Sequence, residues 1–368
     1  MSVETALQRV LAAVNRHVPA LHPYVPGKQP TGDDWVKLNT NELPYPPSPR
    51  VAEAVAAEVA QLRKYPAPTS AGLRAELAAL HGVDPAQVIV GNGSDEILTL
   101  LVRAFAGPER RVGQVSPSYS LYPVLAAIQD TTCATVELAP DLALPIDRIH
   151  QTDTPLFFLT TPNAPFGIDF GRAAVRAAVD GFNGVFVADE AYADFGEWSA
   201  LELLADCPHL VVTRSLSKSY GLAGLRVGYA VASAELIALL DRVRDSYNVN
   251  RLSQAGALAA VRDQAYLHAV VARVRATRTR FTEALRAQDW EVLPSQTNFV
   301  FARPPGEAGR PPDPASAAAA FAHLEKEHIL VRYFPGSPLT ANGLRISIGT
   351  DSEMDRCLET LIAWQTHA

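Results

Sequence analysis

The chain has 368 residues, 48% hydrophobic and 19% charged, with a net charge of −7. That balance suits a globular protein with about two or three domain-sized units and a sizeable core. An acidic chain is ill suited to nucleic acid or an anionic membrane surface, and no stretch has the 18 or so consecutive apolar residues of a membrane-spanning helix.

Residues 1–20 are expected to be helical, with Leu7, Val10, Leu11 and Val14 at helical spacing. The segment lacks the basic start and long apolar core of a signal peptide. Residues 21–50 carry many prolines, which forbid a helix and favour an extended arm lying over something. Helical patterning returns at 49–63 and again at 70–81, stopped at His81-Gly82.

From there short apolar runs alternate with polar turns and helical stretches. QVIV (87–90) leads into GNGSDE, RVGQV (111–115) into SPSYSLY, and LFFLTT (156–161) into PNAPFG. GVFVAD (184–189) leads into EAYADF and LVVT (210–213) into RSLSKSYG, with LRVGYAVA (225–232) a further strand. Strand–helix alternation with continuous apolar strands argues for a mainly parallel sheet covered on both faces. A single long helix is expected over 253–287, then a few short strands and two more helices. The expected fold is therefore α/β. It has an N-terminal helix and arm (1–48), a large domain (49–252), and a connecting helix with a smaller α+β C-terminal domain (253–368).

Arg273, Arg275, Arg278 and Arg280 are spread around the long helix and read as a solvated face. Cys133, Cys207 and Cys357 form no CxxC pattern, which points to a reduced, cytoplasmic compartment. The histidines show neither HExxH nor a Cys/His cluster, so no metal site is expected.

The unusual polar residues fall just past strand ends, where open parallel sheets bind ligands. In GNGSDE, Gly91 and Gly93 allow close backbone approach, and Ser94 and Asp95 open a helix whose N-terminus favours an anion. A plain strand-to-helix turn is the alternative. Asp189 ends an apolar strand and needs a cationic or hydrogen-bonding partner there, which a core salt bridge also supplies. Asn163 and Tyr192 offer hydrogen bonds, and Tyr119 an aromatic face. Lys218 sits between serines in SLSKS, in a chain with only five lysines against 27 arginines. An amine that must lose its proton and attack a carbonyl can be lysine but not arginine. A surface lysine in a polar loop is the plain alternative. Together the set describes one ligand with a phosphate, a ring bearing a basic nitrogen, a phenolic oxygen and an aldehyde, namely pyridoxal 5'-phosphate.

The motifs LNTNELPYPPSP, KYP, GNGSDE, PSY, PNAPFG, ADEAY, SLSKSYGLAGLRVG and LRISIG follow one another in an order that resembles the fold-type I pyridoxal-phosphate aminotransferases. The resemblance is strongest to the histidinol-phosphate aminotransferase group and covers nearly the whole chain. It implies a cytoplasmic homodimer with shared active sites. Lys218 would attach the cofactor and shuttle the substrate α-proton, and Asp189 would face the ring nitrogen. Asn163 and Tyr192 would hold the phenolic oxygen, and Tyr119 would stack on the ring. Ser94, Asp95, Ser215, Ser217 and Arg226 would hold the phosphate, with Tyr65 reaching the neighbouring subunit's cofactor. Arg345 would clamp the substrate α-carboxylate. Arg332 and Tyr24 would face its distal end, and Asn41 lies in the arm that closes over it. The implied reaction moves an amino group between L-histidinol phosphate and 2-oxoglutarate. Aromatic amino-acid aminotransferases and a threonine-phosphate decarboxylase share the scaffold and remain alternatives. Two positions depart from the usual PNNPTG loop, Ala164 and Phe166, and Leu43 replaces a commonly seen Asn; Phe166 favours an aromatic substrate.

Overall fold

The N-terminal helix is shorter than its apolar spacing suggests. In the computed structural model, which describes residues 3–32, 34–306 and 310–367, α1 covers Val3–Ala12, and a separate turn spans Val18–Ala20. Pro19 in that turn has no N–H to continue a helical ladder. The Pro-rich arm follows. It contains only β1 (Val36–Lys37), which pairs in parallel with a two-residue strand of the C-terminal domain. α2 (Pro49–Val59) and α3 (Ala71–His81) then lead into the main sheet.

That sheet has seven strands. They are β2 (Val88–Gly91), β3 (Val112–Ser116), β4 (Cys133–Glu137), β5 (Leu156–Thr160), β6 (Val185–Asp189), β7 (Leu210–Ser215) and β8 (Gly228–Val231). Their spatial order is β2-β8-β7-β6-β5-β3-β4. Every pairing is parallel except those of β8, which runs antiparallel to β2 and β7. Side chains alternate across the pleat, so Phe157, Leu159, Phe186 and Val212 fill one face while Phe158, Val187 and Val211 fill the other. Both faces are covered, which is why these strands read as unbroken apolar runs. β4 escaped the sequence reading because it is an edge strand that buries only alternate residues.

Helices α4 (Ser94–Phe105), α5 (Leu121–Ile128), α6 (Ile146–His150), α7 (Arg172–Asp180) and α8 (Ala234–Val243) connect or cover these strands. The expected 253–287 helix is two helices, α9 (Arg251–Arg262) and α10 (Gln264–Arg286). Asp263 separates them: its φ of −103° and ψ of 60° leave the helix, and its carboxylate accepts from Tyr266 N–H and, at 2.6 Å, from Ser48 Oγ. An Asp side chain competes for backbone donors and so starts helices better than it continues them. The arginines of α10 are not a purely solvated face. Arg273 lies 4.0 Å over the Tyr45 ring, Arg275 donates to the Phe195 carbonyl and Arg278 to that of Thr297.

The smaller domain holds an antiparallel sheet of β9 (Glu291–Val292), β10 (Phe299–Arg303), β12 (Arg332–Tyr333) and β13 (Leu344–Ser347), in the order β12-β13-β10-β9. β11 (Ile329–Leu330) takes the arm strand, and α11 (Pro314–Lys326) and α12 (Asp351–His367) complete the domain. Among the described residues no helix is long and apolar enough to cross a membrane.

Phe166 belongs to this packing and not to the substrate side, where its aromatic ring was expected to act. It is fully buried and meets Phe301 of β10 edge-on, with ring centroids 5.1 Å apart. Large-to-small changes at such a site lose the transfer energy of the ring and leave a cavity. Phe166→Ala is therefore expected to lower the unfolding free energy by about 3–5 kcal/mol. Urea denaturation of the purified variant measures this; a change under about 1 kcal/mol would show the ring is not part of the core.

Candidate active site

The carboxyl ends of the parallel strands open onto a cavity of about 850 Å³ between the two domains. Its wall includes Tyr24 and Asn41 from the arm, and Ser94, Asp95 and Tyr119 from the turns after β2 and β3. Asp189, Tyr192, Ser215, Ser217, Lys218 and Arg226 line it from β6 and β7 onward, and Arg332 and Arg345 from the small domain. Residues spread over three hundred positions thus share one wall.

One end is built for an anion. Gly93 precedes α4 with φ 83° and provides no side-chain cap, so the first N–H groups of α4, including those of Ser94 and Asp95, are open to a ligand. A Cβ on Gly93 would lie 2.5 Å from Arg226 Nη2, so only glycine lets that guanidinium reach the turn. Arg226 donates to Ser217 Oγ at 3.4 Å and to Asp95 Oδ2 at 3.1 Å. The Asp95 carboxylate therefore orients Arg226 and also accepts from the Tyr119 hydroxyl at 3.2 Å; toward a phosphate, Asp95 can offer only its backbone N–H. Ser215 Oγ accepts from Ser217 N–H, which closes the turn beside them.

Asp189 occupies the middle of the wall and is almost fully buried. It accepts from the Tyr122 hydroxyl at 2.7 Å and from Thr213 Oγ1 at 3.0 Å, both neutral donors, and among the described residues it forms no ion pair. Burial raises its pKa to about 6, against the lowering effect of Tyr122 and Thr213. A carboxylate held there above its ordinary range is stabilised by a cation placed beside it in the cavity. Because its folded pKa lies above the ordinary value, its contribution to stability is fully present below about pH 4 and is lost as the pH rises through about 6. A ligand that carries a protonated ring nitrogen would suit this carboxylate. Tyr122 and Thr213 were not singled out in the sequence; only their places, three residues after Tyr119 and in the strand just before Ser215, hinted at them.

Lys218 is half-buried and its amine donates to the Thr40 carbonyl of the arm at 3.1 Å. Burial first, and the Arg345 guanidinium second, push its pKa down to about 8, opposed by Glu42 and Asp95. Near neutral pH an appreciable fraction of such an amine is the free nucleophile. Arg345 is itself held below the usual arginine range by burial, and its Nε has no partner while Nη2 donates to the Asn39 carbonyl. A guanidinium that is held away from water and lines a cavity with its hydrogen bonds incompletely used suits a carboxylate or phosphate. Arg332 stands directly across the ladder from Arg345, and both guanidinium groups lie over the Phe334 ring.

Two expected residues, Asn163 and Tyr65, lie off the cavity wall, and a third, Asn41, borders it with its side chain already engaged. Asn163 is fully buried behind it: its amide donates to the Pro117 carbonyl at 3.3 Å, and its Oδ1 accepts from Phe166 N–H at 3.4 Å. Asn41 is buried too, with its amide engaged by Tyr192 and Ser347. Tyr65 lies away from the cavity, 78% exposed and stacked on Tyr247 at 4.7 Å. Among the described residues no group of His, Cys, Asp or Glu is placed to hold a metal ion.

The description "Aminotransferase class I and II" matches residues 33–361 of the chain. A histidinol-phosphate aminotransferase of Geobacter sulfurreducens is 46% identical over 350 residues, covering 94% of this chain and 97% of that protein. Histidinol-phosphate aminotransferase 2 of Thiobacillus denitrificans is 45% identical, covering 98% of this chain and 99% of the other. Among solved structures, histidinol-phosphate aminotransferase from Sinorhizobium meliloti in complex with pyridoxal-5'-phosphate superposes with a TM-score of 0.83 at 28% identity, over 90% of this chain and 92% of that one. The Thermus thermophilus aspartate aminotransferase with maleate shares the fold at 22% identity, with a TM-score of 0.78 over 96% and 99% of the two chains.

The lowered pKa of Lys218 is directly measurable. In cofactor-free protein, acetylation of Lys218 by a small anhydride should rise with pH through a midpoint near 8. Peptide mass spectrometry across a pH series reads it, and a midpoint near the ordinary 10.5 would remove the argument from burial.

Proposed function

Because the chain belongs to the class I and II aminotransferases, we propose that it is a pyridoxal-phosphate-dependent transaminase acting on L-histidinol phosphate and 2-oxoglutarate. The observation that carries the reading is one cavity with Lys218 and Asp189 on the large-domain side and the Arg345–Arg332 pair facing them from the small domain. Bound pyridoxal phosphate supplies an electron sink for the bonds to the substrate's amine-bearing carbon. The remaining work falls to side chains of this chain.

Lys218 would hold the cofactor through its aldehyde, and its amine is the group placed to move a proton at the amine-bearing carbon of the substrate. Its lowered pKa keeps part of it unprotonated for that step. Asp189 faces the ring nitrogen and keeps it cationic, with Tyr122 and Thr213 holding the carboxylate in place. Tyr119 provides the aromatic face. Tyr192 would donate to the phenolic oxygen, and Asn163, with one of its two amide hydrogens on the Pro117 carbonyl, would support the loop beside it. The N–H groups of Ser94 and Asp95, the hydroxyls of Ser215 and Ser217, and Arg226 hold the phosphate.

Arg345 takes the anionic group nearest the reacting carbon. Beside it, Arg332 and Tyr24 take the phosphate of histidinol phosphate or the second carboxylate of glutamate, and Asn41 closes the arm beside them. Histidinol phosphate and glutamate each bring an anionic group to this region, so one pair of cations serves both half-reactions. The aromatic-donor alternative rested on Phe166, which is buried against Phe301 and does not line the cavity. The reading includes a homodimer with shared sites, in which Tyr65, exposed and away from this chain's own cavity, would serve the phosphate of the second copy. Dilution that splits the dimer should therefore lower cofactor occupancy.

Lys218→Ala is expected to cost at least about 10²–10⁴-fold in transamination from the lost proton transfer. It should also remove the visible absorbance of protein mixed with pyridoxal phosphate. Arg332→Ala should raise KM for histidinol phosphate by about 10–100-fold, the value of a charge-assisted hydrogen bond or two. A substrate panel with 2-oxoglutarate as acceptor tests the assignment. Higher kcat/KM for phenylalanine than for histidinol phosphate would overturn the substrate, and retained activity in Lys218→Ala would overturn the mechanism.

A further inference from the structure

Asn41 is a buried residue with left-handed backbone, φ 55°. Asparagine tolerates that conformation better than most side chains with a Cβ. The position also uses the amide chemically. The Asn41 backbone N–H donates to Ser347 Oγ at 2.9 Å, and the Ser347 hydroxyl donates back to Asn41 Oδ1 at 2.8 Å. The Asn41 carbonyl accepts from the Asn298 amide at 3.0 Å. These contacts hold the arm against β13 and the residue that precedes β10. Asn41 Nδ2 is left to face Tyr192, and it donates to the Tyr192 hydroxyl oxygen at 3.0 Å.

A phenol has one proton. With its oxygen accepting from Asn41, Tyr192 keeps that proton free to donate into the cavity. The neighbouring cations do not take it: Lys218 Nζ stands 5.9 Å from the ring centroid and is engaged with the Thr40 carbonyl, and the Arg345 guanidinium carries donors only. Ser347 lies two residues after Arg345 on the same strand, so the two side chains share a face. Both are tied to the arm, Arg345 through the Asn39 carbonyl and Ser347 through Asn41.

We propose that Asn41 is a positioning residue that sets the direction of the Tyr192 proton. Its amide, held by Ser347, donates to Tyr192 and thereby aims the Tyr192 O–H at the phenolic oxygen of the bound cofactor. The strand that carries the substrate-binding Arg345 thus also fixes the hydrogen bond on the cofactor side. This differs from a substrate contact by Asn41 and rests on the transaminase reading above.

The decisive variant is Asn41→Asp. Aspartate keeps the tolerance for left-handed backbone and an acceptor for Ser347, but it offers Tyr192 an acceptor in place of a donor. The Tyr192 proton then turns toward residue 41 and away from the cavity. Holoenzymes of wild type, Asn41→Asp, Ser347→Ala and the double variant are compared by visible absorbance of the bound cofactor and by half-reaction kinetics with glutamate. Asn41→Asp should shift the absorbance band and lower kcat about tenfold, the value of one hydrogen bond, with KM for glutamate within about threefold. Ser347→Ala should shift the band the same way, and the double variant should add little to Asn41→Asp, as expected of groups in one network. An unshifted band in both single variants, a rise in KM at constant kcat, or additive effects would overturn the proposal. Wild type that develops no visible band with pyridoxal phosphate would instead overturn the transaminase reading and this proposal with it.

Discussion

A carboxylate buried at the end of a central strand, without a cation, is the constraint to which the rest of the site answers. β6 lies fourth from either edge of a sheet covered on both faces, so Asp189 is almost fully buried and meets only the cavity at the end of its strand. Neutral donors hold it, chiefly the Tyr122 and Thr213 hydroxyls, and they only partly offset the burial that raises its pKa to about 6. Such a group destabilises the empty protein at neutral pH and is relieved by a cation. The folding cost and the binding gain are therefore the same interaction. That link explains why the carboxylate lies beneath the Tyr119 turn and opposite Lys218, and not at the open rim.

The charges around the cavity are arranged as opposed requirements. Lys218 has to be partly neutral, and burial with Arg345 nearby makes it so. Arg345 has to stay charged, and the Tyr192 and Tyr24 hydroxyls favour its charged form against the burial that opposes it. Arg226 is paired with Asp95, which keeps it fixed without a ligand. An arriving phosphate competes with that carboxylate for the guanidinium and gains the uncapped N-terminus of α4. The cavity therefore presents cationic groups at two ends and a carboxylate between them, a charge pattern that few small molecules match.

The main features of this plan were legible in the sequence for a physical reason. Where strands are buried on both faces, a polar residue at the strand end stands out against an apolar run, so Lys218, Asp189 and the GNGSDE turn could be singled out. Other features depend on partners far apart in the chain. Tyr122 meets Asp189 across 67 positions and Asn41 meets Ser347 across 306, so neither pairing leaves a local pattern. Phe166 looked like a substrate residue because its loop borders the site, but which way a side chain points in a loop is decided by packing, here by Phe301. β4 and the break at Asp263 were hidden by weaker local signals, an edge strand with half its residues exposed and a single polar residue inside helical patterning.

The back of the sheet carries a second set of buried charges, and its position gives it a purpose in the same design. Arg214 precedes Ser215 on β7 and Glu190 follows Asp189 after β6, so their side chains leave on the side opposite the cavity. Arg214 donates to Glu190 at 2.8 Å, to Asp194 at 2.8 Å and to Ser199 at 2.8 Å. Asp194 also accepts from the hydroxyl of Ser219, the residue after Lys218. Each partner is thus one residue from, or bonded one residue from, a group that faces the cavity. A buried pair of this kind gives little net stability, because desolvation offsets the attraction. Its effect is geometric: it locks the ends of β6 and β7 in register, and with them the spacing between Asp189, Ser215 and Lys218. A site whose chemistry depends on a lysine, a carboxylate and a phosphate cradle at set separations needs that spacing more than it needs the energy.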